Sequence, residues 1–364
     1  MGKKIALAVS TLTNGGAERT VSVWANELCA RGYDVSIVLF HRSDNEYEIN
    51  PAIPIYALAG EKIEYKSMNP LKKYFVLRGI LKQIDPEYII SFLPSPQAWM
   101  MLTSWGLKVK RIESLRNNPH YGTAYTNLFY RTGWRLCFLT GHKIILQTRD
   151  QLRFFGKREQ KKCVIVPNQI SERFVEHFKQ NISGKPLAFI AVGRLFAQKN
   201  YRMMIDAFTR VCRHNNNIKL RIFGKGKASD TAEIEGWIDA AGMQDRIQLM
   251  GWSAHMEEEY QKSDIFLMTS NYEGLPNALI EAMASRLICI STDCETGPRD
   301  LIEHGVTGFL VPVGDSIGFA EAIEKALNMS VEERIAMADA ARSQILAYCS
   351  LKNSTDALCR CFEE

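Results

Sequence analysis

Residues Asp264–Ala282 read DIFLMTSNYEGLPNALIEA. The first seven, Asp264–Ser270, form an apolar run of strand length, and the stretch after Pro276 has the composition of a helix. Proline suits a first helical turn, because its φ is already near the helical value and its missing N–H is one that the turn leaves unused. A buried strand that leads through a Gly- and Pro-bearing loop into a helix is the building unit of a parallel α/β sheet with both faces covered. In such sheets ligands bind beyond the carboxyl ends of the strands. Asn271–Leu275 is such an exit loop. It carries Glu273, and Glu281 follows eight residues later.

The same alternation runs along the whole chain. Ile5–Val9, Val35–Phe40, Tyr88–Phe92, Lys143–Gln147 and Val164–Val166 read as strands, with Ala17–Arg31 and Leu71–Ile84 as helices among them. Asn168–Pro186 is polar and turn-rich, and the alternation then restarts with Leu187–Val192, Leu220–Phe223, Ile247–Met250, Ile265–Met268, Leu287–Ile290 and Phe309–Val311. The expectation is two α/β domains, residues 1–168 and 186–341, joined by a linker at 169–185. A length of 364 residues suits two domains. A Ser330-x-x-Glu333 capping box opens a helix near the end.

The net charge of +5 conceals an asymmetry. Residues 1–185 hold 27 Lys+Arg against 15 Asp+Glu, and the remainder is acidic. Most of the excess lies between Lys66 and Lys162, with 18 basic and 5 acidic residues, which favours an anionic partner over a merely solvated face. Nine scattered cysteines without a Cys-x-x-Cys pair read as reduced thiols of a cytosolic protein. The N-terminal apolar stretch is short and lacks a cleavage pattern, so it reads as a first strand, and no run reaches the length of a membrane span.

Three exit loops carry candidate chemistry. In the first, backbone N–H groups around Leu275–Leu279 suit a phosphate, and Glu273 and Glu281 suit the paired hydroxyls of a ribose or sugar. On spacing alone, a capping Glu273 with a surface Glu281 is an equal reading. In the second, Gly193–Asn200 (GRLFAQKN), Gly193 lets the backbone turn while Arg194 and Lys199 place two cations at a strand end. Such cations grip phosphate oxygens and stabilise a leaving diphosphate. Taken singly, each reads better as a solvated surface cation. The third is Thr13–Arg19, where Gly15-Gly16 permits close backbone approach before a helix. No P-loop is present, and Gly224–Ser229 (GKGKAS) lacks the third glycine of a dinucleotide fingerprint.

Together these stretches resemble glycosyltransferase family four, the retaining nucleotide-sugar transferases of the GT-B fold. The resemblance rests on GGAER (Gly15–Arg19), VPN (Val166–Asn168), GRLFAQKN, FGKG (Phe223–Gly226), EGLPNALIE (Glu273–Glu281) and ETGPRDLIEHGVTGFLVPVGD (Glu295–Asp315). It covers nearly the whole chain and is most specific in the C-terminal half. It implies two Rossmann-like domains facing across a cleft, with a nucleotide-sugar domain at 186–341 and an acceptor domain at 1–168. A last helix, from about 342 to 364, packs back on the acceptor domain. By resemblance, Arg194 and Lys199 bind the donor diphosphate, Glu281 the ribose and Glu273 the transferred sugar. The backbone over Gly274, Leu275, Pro276, Asn277, Ala278 and Leu279 lies at the phosphates, and Gly224 to Lys227 lies near the base. Gly15 and Gly16 close over the donor. A histidine near the donor sugar matches His120 in SLRNNPH, but relatives read Ser-Glu-Arg here, so Arg116 competes with His120 for the working role.

The implied activity is retaining transfer of a hexose or N-acetylhexosamine from a UDP-sugar to a hydroxyl of a lipid-linked or surface-polysaccharide precursor, without metal or cofactor. A nucleotide-sugar epimerase and a non-catalytic scaffold of the same fold are the alternatives. Tyr125, Phe129, Tyr130, Trp134, Phe138, Phe154 and Phe155 interleave with Arg131, Arg135, Lys143, Arg149 and Arg153, and Lys72, Lys73, Arg78 and Lys82 fall on one helix. That mixture suits an anionic membrane surface; no nucleic-acid motif accompanies it. The expected location is the cytoplasm, at the inner face of the cell membrane.

Overall fold

A computed structural model of the chain describes residues 2–13, 15–43, 46–59, 67–120 and 128–363, with the side chains of 128–131 excepted. Two compact units emerge, Met1–Asn168 with Lys352–Glu364, and Gln169–Leu351. Helices of eight or more residues are labelled below.

The first unit holds seven parallel strands: β1 (Lys4–Val9), β2 (Asp34–Leu39), β3 (Ile55–Ala57), β4 (Tyr88–Phe92), β5 (Lys110–Ser114), β6 (Lys143–Leu146) and β7 (Cys163–Ile165). Their order is β3-β2-β1-β4-β5-β6-β7. Alternate residues of β1 serve opposite faces, as strand geometry requires. Ile5, Leu7 and Val9 pack with α1 (Gly16–Ala30) and the last turn of the chain; Ala6 and Ala8 pack with α2 (Pro70–Ile84) and α3 (Pro94–Thr103). A further helix, α4 (Leu128–Thr140), seats Phe138 in a smaller apolar cluster with Leu115, Ile144 and Phe155.

The second unit repeats the plan with β8 (Ala188–Val192), β9 (Lys219–Phe223), β10 (Ile247–Gly251), β11 (Ile265–Met268), β12 (Ile288–Thr292) and β13 (Phe309–Val311), in the order β10-β9-β8-β11-β12-β13. One face packs on α5 (Tyr201–Cys212), α6 (Ala228–Ala240) and α8 (Ser316–Asn328), the other on α7 (Asn277–Ala284) and α9 (Val331–Tyr348). The capping box at Ser330 and Glu333 opens α9.

Four features differ from the expectation. β3 and β5 were not read as strands. β5 is KRIES, whose charges disguise it: Glu113 is fully buried, accepts from Ser91 of β4 and pairs with Arg111 at 3.0 Å. Residues 169–185 are not a free linker, because Ile170 and Phe174 are buried in the second unit and Lys179 binds Asp264 at 2.5 Å. The return to the first unit begins at Lys352 rather than near 342. Arg342 lies within α9 and donates to the carbonyls of Ala284 and Val175, whereas α10 (Leu351–Cys359) precedes the turn in which Phe362 accepts from Tyr88 Oη at 3.1 Å. Among the described residues no helix is long and apolar enough to cross a membrane.

Candidate active site

The strand order of the second sheet reverses between β8 and β11, which pair directly, so their exit loops are neighbours. This is the place where parallel sheets bind ligands. The β8 loop runs from Gly193 to Asn200 and the β11 loop from Thr269 to Pro276. Lys199 Nζ lies 2.6 Å from Glu273 Oε1, and both side chains are largely buried. Around that ion pair the loops are tied by polar bonds: Asn271 N donates to Gln198 O at 2.8 Å, Gln198 Nε2 to Tyr272 O at 2.8 Å and Asn200 Nδ2 to Asn271 Oδ1 at 3.0 Å. Thr269 Oγ1 reaches the carbonyls of Lys199 and Asn200 at 2.9 and 3.0 Å. A third loop, after β12, joins through Thr296, whose hydroxyl donates to the Glu273 carbonyl.

Glycines make this packing possible. A Cβ at Gly193 would stand 2.9 Å from Lys199 Cε, and one at Gly224 only 1.8 Å from the Gly193 carbonyl oxygen. Gly297, at φ +99°, sits where a Cβ would meet the Gly274 carbonyl at 2.4 Å and Pro276 Cδ at 2.8 Å. Tyr201 Oη donates to Gly193 O at 2.9 Å from beneath; burial, with the Glu273 charge adding to it, raises its pKa.

Glu273 is therefore not the helix cap that its spacing allowed. α7 has no side-chain cap, and Pro276 occupies the cap position itself, accepting from the Leu279 and Ile280 amides at 3.2 Å. Gly274, Leu275 and Pro276 are buried, Asn277 and Ala278 half-buried, and Leu279 fully buried. Glu281 is half-buried on the second turn. Arg194 is exposed, with its guanidinium 5.1 Å from the Phe196 ring and no carboxylate paired to it among the described residues. Lys227 is exposed at the cap of α6. The fold thus gathers Lys199 and Glu273 and leaves Arg194 open to an anion. Sequence reasoning missed Gln198, Thr269, Asn271 and Thr296. The visible signal for the last is Thr296-Gly297-Pro298, a second Gly-Pro strand exit like the one at Gly274–Pro276. Among the described residues no cluster of three or more His, Cys, Asp or Glu is placed to hold a metal ion.

In the first unit, Gly15 caps α1 and Gly16 begins it, but the space beside the Gly15 α-carbon is taken by the Glu18 carboxylate, 1.9 Å from where a Cβ would stand. Arg116 lies against Trp24 and Phe92, with its guanidinium carbon 4.5 and 5.0 Å from the ring centroids. It donates to Asn168 Oδ1 at 3.2 Å, while its Nε and Nη2 are buried without a partner. Burial lowers its pKa, although a guanidinium stays charged. His120 is exposed, edge-on to Phe154 at 4.8 Å.

The aromatic stretch expected at a surface mostly faces inward. Trp134, Phe138, Phe154 and Phe155 pack in the α4 cluster. Tyr125 and the side chains of Phe129, Tyr130 and Arg131 lie outside the described residues. Lys73 is buried, its ammonium 5.8 Å from the Trp99 ring, and Arg78 donates to the carbonyls of Thr103 and Trp105 at 2.8 Å each. Lys72, Lys82 and Arg135 are exposed.

Comparison with known proteins gives this geometry its context. Residues 172–344 match the family model described as "Glycosyl transferases group 1". The chain is 27% identical over 330 residues to the GalNAc-alpha-(1->4)-GalNAc-alpha-(1->3)-diNAcBac-PP-undecaprenol alpha-1,4-N-acetyl-D-galactosaminyltransferase of Campylobacter jejuni, over 89% of each chain. It is 27% identical to the amylovoran biosynthesis glycosyltransferase AmsD of Erwinia amylovora, over 82% of this chain and 84% of that one. Among solved structures, HepE of Anabaena in complex with UDP and glucose shares the fold at a TM-score of 0.79 and 16% identity, covering 100% of both chains.

Proposed function

Starting from a chain that is a glycosyltransferase and whose second unit is a group 1 glycosyl transferase domain, we propose that it moves a sugar from a UDP-sugar to a hydroxyl of a lipid-linked or lipopolysaccharide glycan precursor, with retention at the anomeric carbon. The activity named for the Campylobacter relative supports a polyprenyl-diphosphate-linked acceptor and an N-acetylhexosamine. The UDP complex of a structural neighbour supports the nucleotide.

The observation that carries the reading is the Lys199–Glu273 pair at the switch point, with Arg194 open beside it. A lysine ammonium has three donors, so the bond to Glu273 leaves two for phosphate oxygens. Arg194 adds a fork for the same diphosphate. Glu273, fixed and buried, accepts from a hydroxyl of the transferred sugar, and Glu281 from the ribose. In the transfer, the bond from the anomeric carbon to the diphosphate oxygen breaks and a bond to the acceptor oxygen forms on the same face. The acceptor proton passes to the departing diphosphate, whose new charge Arg194 and Lys199 stabilise. Lys199 is held by Glu273 before reaction, and a charge fixed in advance is what makes such stabilisation effective.

A thermal-shift comparison of UDP, GDP and ADP tests the donor. UDP at about 100 times its dissociation constant adds about 2.7 kcal/mol to stability, and Lys199→Met abolishes the shift. A shift by GDP or ADP alone overturns the UDP assignment, and turnover of the UDP-sugar without acceptor moves the activity to epimerisation.

A further inference from the structure

The exit loop of β11 is mostly buried and irregular, so no ladder or helix receives its carbonyls and other donors must. Side chains of the β8 loop, of β12 and of the β12 loop supply them. Thr292 Oγ1 donates to Ser270 O at 2.6 Å, Gln198 Nε2 to Tyr272 O at 2.8 Å, and Thr296 Oγ1 to Glu273 O. The last two bonds fall in a special place. Tyr272 O belongs to the peptide before the Glu273 α-carbon, and Glu273 O to the peptide after it. Each peptide is a rigid plane, so the first sets φ of Glu273 and the second sets ψ. With both planes held, the direction of its Cα–Cβ bond is fixed, and only rotations within the side chain remain. Lys199 takes up those rotations at the far end, 2.6 Å from Oε1. Gln198 Nε2 stands 3.5 Å from Oε2, too far for a firm bond, so that oxygen keeps its accepting capacity.

The two holds come from separate chain segments. Gln198 grips the β11 loop by backbone as well as by side chain, its carbonyl accepting from Asn271 N at 2.8 Å. The β12 loop comes near enough for Thr296 to reach because Gly297 has no side chain; a Cβ there would meet Gly274 O at 2.4 Å. Thr296 and Glu273 are both buried, so water does not compete for the bond between them. A buried carbonyl needs a donor in any case. That need alone does not call for side chains of two different loops to hold the carbonyls on both sides of one α-carbon. An acid whose reach must be set before the reaction does call for it, since a small misplacement of a working group is costly.

We propose that Gln198 and Thr296 are positioning residues for Glu273. They hold the peptide planes on either side of its α-carbon, and with Lys199 at Oε1 they present Oε2 to a hydroxyl of the transferred sugar. They act through Glu273 and take no part in gripping the diphosphate. The proposal rests on the reading in which Glu273 meets the transferred sugar, and the experiment below separates the failure of one from the failure of the other.

The test is a double-mutant cycle on the full chain, read in kcat from initial rates of sugar transfer, with UDP-glucose, UDP-galactose and their N-acetyl counterparts as donors. Thr296→Val removes the hydroxyl at nearly constant shape, and Gln198→Met removes the amide. Each lowers kcat about tenfold or more, the order of loss that a misplaced group brings. Both keep the wild-type UDP thermal shift, which shows that the fold and the diphosphate grip are intact. Thr296→Ser, which keeps the hydroxyl, recovers most of the loss. On the residual rate of Glu273→Ala the same two substitutions act within about threefold, because the side chain that they aim is gone. A tenfold loss that persists in the Glu273→Ala background overturns the proposal while the donor reading stands. So does a lower Tm with kcat unchanged, the mark of a carbonyl that is merely satisfied. Full activity of Glu273→Ala overturns the donor reading and the proposal with it.

Discussion

The two units wind their strands in the same order, yet they differ in how far the polar groups at the carboxyl edge of the sheet satisfy one another. In the second unit Lys199, Glu273, Gln198, Asn200, Asn271 and Thr296 satisfy one another across three loops. In the first unit the corresponding edge leaves Arg116 Nε and Nη2, Ser114 Oγ, Gln147 Oε1 and Thr148 Oγ1 buried and unpartnered. Buried polar atoms without partners are uncommon and each calls for a reason. The second edge is tied across its loops and leaves Ser270 Oγ buried without a partner, whereas the first leaves five such atoms, two of them on one guanidinium. Catalysis by fixed charge is served by the more fully tied edge.

The largest effect comes from opening the more fully tied edge. Lys199→Met and Glu273→Gln each lower kcat/KM by about 10²–10³, the usual cost of removing one fixed charge-stabilising group, as measured by initial rates of sugar transfer. If the pair were only a strut between loops, Lys199→Met with Glu273→Leu would recover activity. Recovery would reduce the second unit's edge to packing and break the contrast.

The second effect is on stability and uses glycines. Gly224→Ala forces a Cβ into the Gly193 carbonyl and costs about 3 kcal/mol or more. Gly106→Ala, in the first unit at φ +74° with no heavy atom within 4 Å, costs about 1 kcal/mol, the strain of a left-handed residue alone. Urea midpoints of the two variants measure the difference. Equal losses would mean that the close approach at Gly224 relaxes freely.

Those contrasts bear on what the residues disclosed. β1, β4, β11 and β13 were readable because their apolar runs are continuous, as strands buried on both faces require. β5 was not, because Arg111 and Glu113 neutralise each other only after the fold brings Ser91 and burial to them. The switch-point loops were legible as sites, since Gly and Pro at strand exits carry a local geometric meaning. Their wiring was not. Nothing local says that Glu273 will meet Lys199, 74 residues away, rather than cap its own helix. The inward turn of Lys73 and Trp134 was equally hidden, because helical spacing shows which residues share a face but not which face a neighbouring helix will cover.

Glu113 supplies a pH-dependent effect confined to the first unit. Burial pushes its carboxyl up to about 7, well above the ordinary carboxylate range, despite the hydrogen bond from Ser91 and the charge of Arg111. A raised carboxyl favours the folded state in its protonated form. Its contribution is full below about pH 4.5 and is lost as the pH rises through about 7. Wild-type Tm therefore falls between pH 5 and pH 8 relative to Glu113→Gln, which keeps a neutral group of the same shape throughout. Parallel Tm curves for the two proteins would show that Arg111 keeps the buried carboxylate ionised at no cost.

The smallest effect on stability carries the comparison furthest. Arg116→Met replaces a buried guanidinium, which has one hydrogen bond and two orphaned nitrogens, with an apolar chain of similar length that can still lie against Trp24 and Phe92. Exchanging a poorly compensated buried charge for apolar packing is neutral or stabilising by about 1 kcal/mol. The same exchange at Lys199 strands the Glu273 carboxylate and destabilises by about 2–3 kcal/mol. One substitution type, lysine or arginine to methionine, thus gives opposite signs in the two units. The free Nε–Nη2 edge of Arg116 has the spacing that grips two oxygens of one anionic group. If that edge serves a ligand, Arg116→Met lowers kcat/KM chiefly through a higher KM for acceptor while Tm holds or rises. If Tm instead falls as it does for Lys199→Met, Arg116 is a structural charge and the two edges are alike.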